Sequence, residues 1–124
     1  MATLTPSLSL TMDYSSVGTT TGNVLVNVDD TLTVTNPSIN LARMAVSSTG
    51  ATNIRTTSES AINYVYLKNI SEANVIVVKT DGAVAFADLN PGEFAFLPLK
   101  GNVGLEVQSD AGTCILEYGY WTKG

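Results

Sequence analysis

Histidine is absent from this 124-residue chain. That removes the commonest general base, the Ser-His and Cys-His nucleophile pairs, and the commonest metal ligand. A metal-dependent jelly roll of the cupin kind would need a histidine cluster, so the Pro91-Gly92-Glu93 turn shares only geometry with such barrels. There is one cysteine, Cys114, and no internal disulfide can form. Between Thr113 and Ile115, with no basic neighbour in sequence, it reads as a small buried hydrophobe on a strand. A chain without disulfides fits synthesis in the cytoplasm.

Cationic residues are few and scattered: Arg43, Arg55, Lys68, Lys79, Lys100 and Lys123 stand against eleven acids, giving a net charge of −5 and a pI near 4.3. With no basic patch, binding of nucleic acid or of an anionic membrane surface is disfavoured. No apolar run reaches the ~20 residues of a membrane span. The start, Met1-Ala2-Thr3-Leu4-Thr5-Pro6, lacks the cationic and apolar parts of a signal peptide. The sequon Asn69-Ile70-Ser71 is therefore read as chance, and Pro37 excludes the triplet at Asn36. Gly101 and Gly104 open no helix, so no phosphate-cradling loop is present.

What the chain does have is β-character. The hydrophobic share is 44%, and the charged share, 14%, is well below the usual quarter, with Thr, Ser, Asn and Gly in its place. The length fits one domain that buries roughly two thirds of its unfolded surface, so a core forms without staples. Hydrophobicity alternates with period two almost throughout. Val24, Val26 and Val28 alternate with Leu25 and Asn27, and Leu32 and Val34 with threonines. Val65 and Leu67 oppose Tyr64, Tyr66 and Lys68, and Leu105 and Val107 alternate with Glu106 and Gln108. Near the end, Cys114, Leu116, Tyr118 and Tyr120 share one face, and Ile115, Glu117, Gly119 and Trp121 the other.

Turn signals punctuate these runs at Ser48-Thr49-Gly50, Thr80-Asp81-Gly82, Asn90-Pro91-Gly92, Lys100-Gly101-Asn102 and Asp110-Ala111-Gly112. Thr80-Asp81-Gly82 reads as a hairpin turn between Val75–Lys79 and Ala83–Ala87. Asp29-Asp30 interrupts a strand with a bulge or tight loop. The stretch from Ser38 to Met44 reads as strand or loop rather than helix. Eight to ten short strands are expected, in an all-β antiparallel β-sandwich of jelly-roll type, with a small β-barrel as the alternative. The expected layout is one domain over 1–124, with 1–12 as an N-terminal strand or arm and Ser15–Gly22 as a mobile loop. Leu4, Leu8 and Leu10 in that arm could pair with the parent sheet or add to a neighbour.

Catalytic options reduce to carboxylates. Asp29 and Asp30 are adjacent and point to opposite faces of a strand. Glu93, Glu106 and Glu117 fall on different strands and would act as a glycosidase pair only if they converged. Asp29, Asp30, Asp81 and Asp110 read as turn aspartates rather than a calcium loop. No enzyme activity, cofactor or metal is therefore expected. The aromatic residues Tyr64, Tyr66, Tyr118, Tyr120 and Trp121 read first as sheet packing, and secondly as anchors against a subunit or a sugar ring.

The second half, Ile62 to Gly124, resembles small β-rich virion proteins of tailed bacteriophages, of the head decoration or cement type. The resemblance rests on Tyr64-Val65-Tyr66-Leu67-Lys68-Asn69, on Leu89-Asn90-Pro91-Gly92-Glu93-Phe94 and on Leu116-Glu117-Tyr118-Gly119-Tyr120-Trp121. It implies a virion protein made in the host cytoplasm that binds the outside of a capsid lattice. The implied partners are the major capsid protein and further copies of itself, as a homotrimer. Leu4, Leu8, Leu10, Tyr120 and Trp121 are the expected interface residues. A tail- or fibre-associated virion subunit and a carbohydrate-binding module are the alternatives.

Overall fold

A computed structural model describes the backbone of residues 1–15 and 21–124, and the side chains of these except 13–15, 21–24 and 36–40. Eleven strands make up the described chain: β1 (Ala2–Leu4), β2 (Ser7–Ser15), β3 (Thr21–Asp29), β4 (Leu32–Ser47), β5 (Thr52–Arg55), β6 (Asn63–Asn69), β7 (Ile76–Thr80), β8 (Ala85–Leu89), β9 (Phe94–Leu99), β10 (Leu105–Ser109) and β11 (Thr113–Lys123). Ser38 to Met44 lies in a strand, β4.

The strands form a five-stranded sheet in the order β1-β4-β11-β6-β9, a four-stranded sheet in the order β5-β10-β7-β8, and a two-stranded ribbon, β2-β3. The pairs β4–β11, β5–β10, β6–β9 and β7–β8 are all antiparallel and nest one inside the next. This is one long hairpin rolled into two facing sheets, the jelly-roll form of the β-sandwich expected from the sequence, and no barrel closes.

Alternation explains the core. Odd residues of β6, Val65 and Leu67, face inward with Cys114 and Leu116 of β11 and Val46 of β4. Ile54, Ile76, Val78, Leu89, Leu105 and Val107 meet them from the smaller sheet. Tyr118 and Tyr120 continue the inward row of β11 and pack against this cluster. Cys114 is fully buried, with its thiol 3.2 Å from Ser109 Oγ. Pro98, which has no amide hydrogen, sits in β9 at the edge of its sheet, where one side needs no partner.

The turns carry the backbone chemistry that their residues suggested. Gly82, Gly92 and Gly112 adopt positive φ. The β7–β8 hairpin turns over Asp81-Gly82-Ala83, two residues later than the alternation placed its second strand, so β8 begins at Ala85. At Asn90-Pro91-Gly92-Glu93 the Glu93 carboxylate accepts from the Asn90 amide (2.7 Å) and from Asn90 Nδ2 (3.0 Å). Those two bonds favour the ionised form and hold the Glu93 carboxyl below the usual carboxylate range.

The N-terminus departs from a single strand or arm. Thr5-Pro6 divides it into β1, paired with β4 through Leu4↔Leu32, and β2, paired with β3 from Ser7↔Asp29 to Ser15↔Thr21. The paired strands break opposite, at Asp30-Thr31 between β3 and β4, where the Asp30 amide donates to Pro6 O (3.2 Å). The result is one long hairpin, rooted at the edge of the five-stranded sheet and running on beyond it. Of the expected loop Ser15–Gly22, residues 16–20 lie outside the described residues, and Ser15, Thr21 and Gly22 belong to strands.

Candidate functional surface

The ribbon β2-β3 is nine residues long on each side, about 30 Å at the rise of a β-strand. Register puts Leu8 opposite Val28 and Leu10 opposite Val26, with Met12 two residues further on. All five side chains therefore project from one face of the ribbon. None is buried: Leu10, Met12 and Val28 are each about half exposed, at 50%, 53% and 52%. The opposite face carries Ser7, Ser9, Thr11 and Asn27, with the Ser7 hydroxyl donating to Asp29.

A second apolar surface lies on the outer side of the five-stranded sheet. Register aligns Tyr64 with Pro98 and with Trp121, and Tyr66 with Phe96 and with Gly119. Tyr64 stacks on Phe96, with ring centroids 6.3 Å apart and planes 10° from parallel. Phe94 is 56% exposed and Phe96 38%. Between this face and the root of the ribbon runs an open groove of about 880 Å³, with Leu8, Val28 and Leu32 on one side and Ile62, Tyr64 and Phe96 on the other.

The groove ends in a polar strip. Glu117 accepts from the Tyr66 hydroxyl (3.1 Å) and pairs with Arg43 (3.3 Å). Burial and that hydrogen bond to a carboxylate both raise the Tyr66 pKa.

The expected interface residues separate into three groups. Leu8 and Leu10 lie on the apolar face of the ribbon, and Trp121 is half-buried beside Tyr64 on the aromatic face. Leu4 is half-buried and held in its own sheet by β4. Tyr120 packs against the core, because it shares the inward face of β11 with Cys114 and Leu116. Sequence reasoning did not single out Phe94, Phe96, Met12, Val26 or Val28 as contact residues. Their alternation signals a strand face without saying whether anything covers it.

Glu106 lies on β10 and Glu117 on β11, on opposite sheets with their buried neighbours pointing inward, so these two carboxylates face away from each other. Glu93 is fixed in its own turn. The loop aspartates serve backbone amides: Asp30 accepts from Thr31 N, Asp81 from Gly104 N and Asp110 from Val75 N. Among the described residues no three His, Cys, Asp or Glu side chains lie close enough to hold a metal ion, and no helix is long and apolar enough to cross a membrane. Asn69 is fully buried and its Nδ2, the atom a glycan would take, donates to Asn74 O and Leu89 O.

A cation the sequence left unremarked holds one end of the sandwich. Arg55 is 4% exposed. Its Nη1 donates to Leu99 O (3.4 Å) and Lys100 O (3.1 Å), and its Nη2 to Glu59 O (2.8 Å) and Ala61 O (2.6 Å). It borders a cavity of about 310 Å³ that Asn53, Glu59 and Tyr120 also line. Burial lowers its pKa, and the Glu59 charge opposes that shift.

Compared with known proteins, the chain matches no family model, no curated protein and no solved structure.

Proposed function

We propose that this chain is a non-catalytic structural subunit of a virion, one that binds the outside of a capsid lattice and cements it. The observation that carries the reading is the amount of apolar surface left outward by a well-packed sandwich. A monomeric protein rarely exposes contiguous apolar patches of more than a few hundred Å² without using them to bind. Here a long apolar ribbon and an aromatic sheet face adjoin, and Val84, just before β8, and Phe86 on it, 62% and 50% exposed, add a smaller spot on the other sheet. Apolar surface on both sheets suits a subunit that touches more than one neighbour. Uncharged surfaces of this kind form the centre of protein interfaces. The resemblance of residues 62–124 to phage decoration proteins supplies the setting.

The test is mass spectrometry of the source particle, counting this chain against the major capsid protein. A ratio near one supports a lattice-wide cement protein. A ratio of a few per cent moves it to the tail or fibre, and absence from the particle overturns the virion reading.

The Tyr64–Phe96 stack at the floor of an open groove supports a second reading, a sugar-binding module, since aromatic faces pack against sugar rings. A glycan array that binds the wild type and not Phe96→Ala would favour it over the first.

A further inference from the structure

We propose that the β2-β3 ribbon of one copy of this chain lies in the aromatic groove of a second copy, with Leu10, Met12 and Val26 against Ile62, Phe94 and Phe96.

Both surfaces are incomplete in the single chain. The root of the ribbon, Leu8 and Val28, reaches the groove and forms one wall of it. Leu10, Met12 and Val26 do not line the groove, so the outer part of the ribbon's apolar face leaves it unfilled. The ribbon is about 10 Å wide, two strands at the usual spacing, and the groove between root and sheet is open to solvent.

Area selects a second copy as the occupant. Fully burying a large aliphatic side chain removes roughly 60–120 Å² of apolar surface from water. An aromatic side chain offers roughly 150–250 Å². Scaled by their exposures, Leu8, Leu10, Met12, Val26 and Val28 with Ile62, Phe94 and Phe96 present roughly 300–560 Å² of apolar surface. A stable interface takes about 800 Å² from each partner, of which roughly 60% is apolar, about 500 Å². The ribbon alone or the groove alone falls short of this. The range for the two together includes it, and a second copy covers both because it carries the complement of each. In a two-fold pair each copy places its ribbon in the other's groove, so one reciprocal interface uses both surfaces of each partner and leaves neither bare.

The contact does not depend on the virion reading. A chain absent from virions can still self-associate through it, and a monomer that binds capsids would refute it while leaving that reading intact.

The experiment is sedimentation of the full chain across low to high micromolar concentration, with Leu10→Glu and Phe96→Glu. Leu10 is half exposed and makes no ring contact, so Leu10→Glu is expected to keep the wild-type thermal midpoint, and Phe96→Glu, which loses the stack on Tyr64, to lower it by a few degrees while staying folded, which circular dichroism checks. The wild type is expected to self-associate, and each variant to lose at least about 100-fold in association constant, because a carboxylate would enter an apolar contact. The decisive sample is the equimolar mixture. Leu10→Glu keeps an intact groove and Phe96→Glu an intact ribbon, so one contact should re-form and the mixture should sediment faster than either variant alone. A monomeric wild type, an oligomer that survives both substitutions, or a mixture that stays monomeric overturns the proposal. Binding of a different protein or of a sugar by a monomeric wild type would belong to that overturning result.

Discussion

Replacing the buried Arg55 should cost this domain a large share of its stability. The side chain leaves β5 and places its guanidinium under the segment 56–62 and the turn at Lys100-Gly101-Asn102. Four backbone carbonyls converge on it, and three of the bonds, at 3.1, 2.8 and 2.6 Å, are of good length. A hydrogen bond to a charged group is worth about 1.5–3 kcal/mol net, so the three sum to about 4–5 kcal/mol at the lower bound. The carbonyls belong to loops that can turn partly to water, which recovers some of this. Arg55→Met should therefore destabilise by about 3 kcal/mol, a large part of the 5–15 kcal/mol of a typical domain. At this chain length that is a fall of roughly 10 °C in Tm. Arg55→Lys, a point charge on a flexible stem, can reach fewer carbonyls and should recover less than half of the loss. Urea unfolding gives the free energies, and hydrogen exchange of the amides of 56–62 gives the location. Equal stability of Arg55→Met and wild type, within about 0.5 kcal/mol, would refute the clamp.

Other substitutions probe independent features. A Cβ on Gly101 would lie 2.1 Å from Ser60 O, a backbone atom that cannot swing away, so Gly101→Ala should cost about 1–3 kcal/mol in urea unfolding. Asn69→Leu should cost about 2–3 kcal/mol by the same assay, since it strands the carbonyls of Leu89 and Asn74 and the Ser71 amide, and an unchanged midpoint would contradict its role. Glu93 titrates below its unfolded value in the folded chain, so the stability it adds is complete above the unfolded pKa, about 4.5, and is lost as pH falls through the folded pKa. Glu93→Gln should accordingly differ from wild type near neutral pH and converge with it in acid, as followed by Tm against pH. The alkaline absorbance titration of wild type should include one tyrosine that ionises late, and Glu117→Gln should bring it earlier by removing the charge that opposes the Tyr66 phenolate.

Strand positions and their two faces were legible from residue spacing alone. Tyr118 and Tyr120 fall on one side of β11 and Trp121 on the other, as period two requires. The turns were legible because Gly92 and Gly112 stand where φ must be positive, and Asp110 where an amide needs an acceptor. The ribbon was only half legible. Its alternation is as clear as that of β6, and both read as half-buried strands, yet Val65 and Leu67 are fully buried while Val26 and Val28 are exposed.

The sequence by itself determined that this is an all-β antiparallel chain, which side chains share a face, and where the backbone turns, because those follow from local sterics and from the two-residue repeat of a strand. Only the tertiary structure decided that the hairpins nest into a jelly roll, that Arg55 ties its own loop to the carbonyls of Leu99 and Lys100, and that the outer faces of the β2-β3 ribbon and of β9 stay open. Those outcomes depend on which sheet covers which, and pairing between residues far apart in the chain is set by the packing of the whole rather than by any short stretch of it.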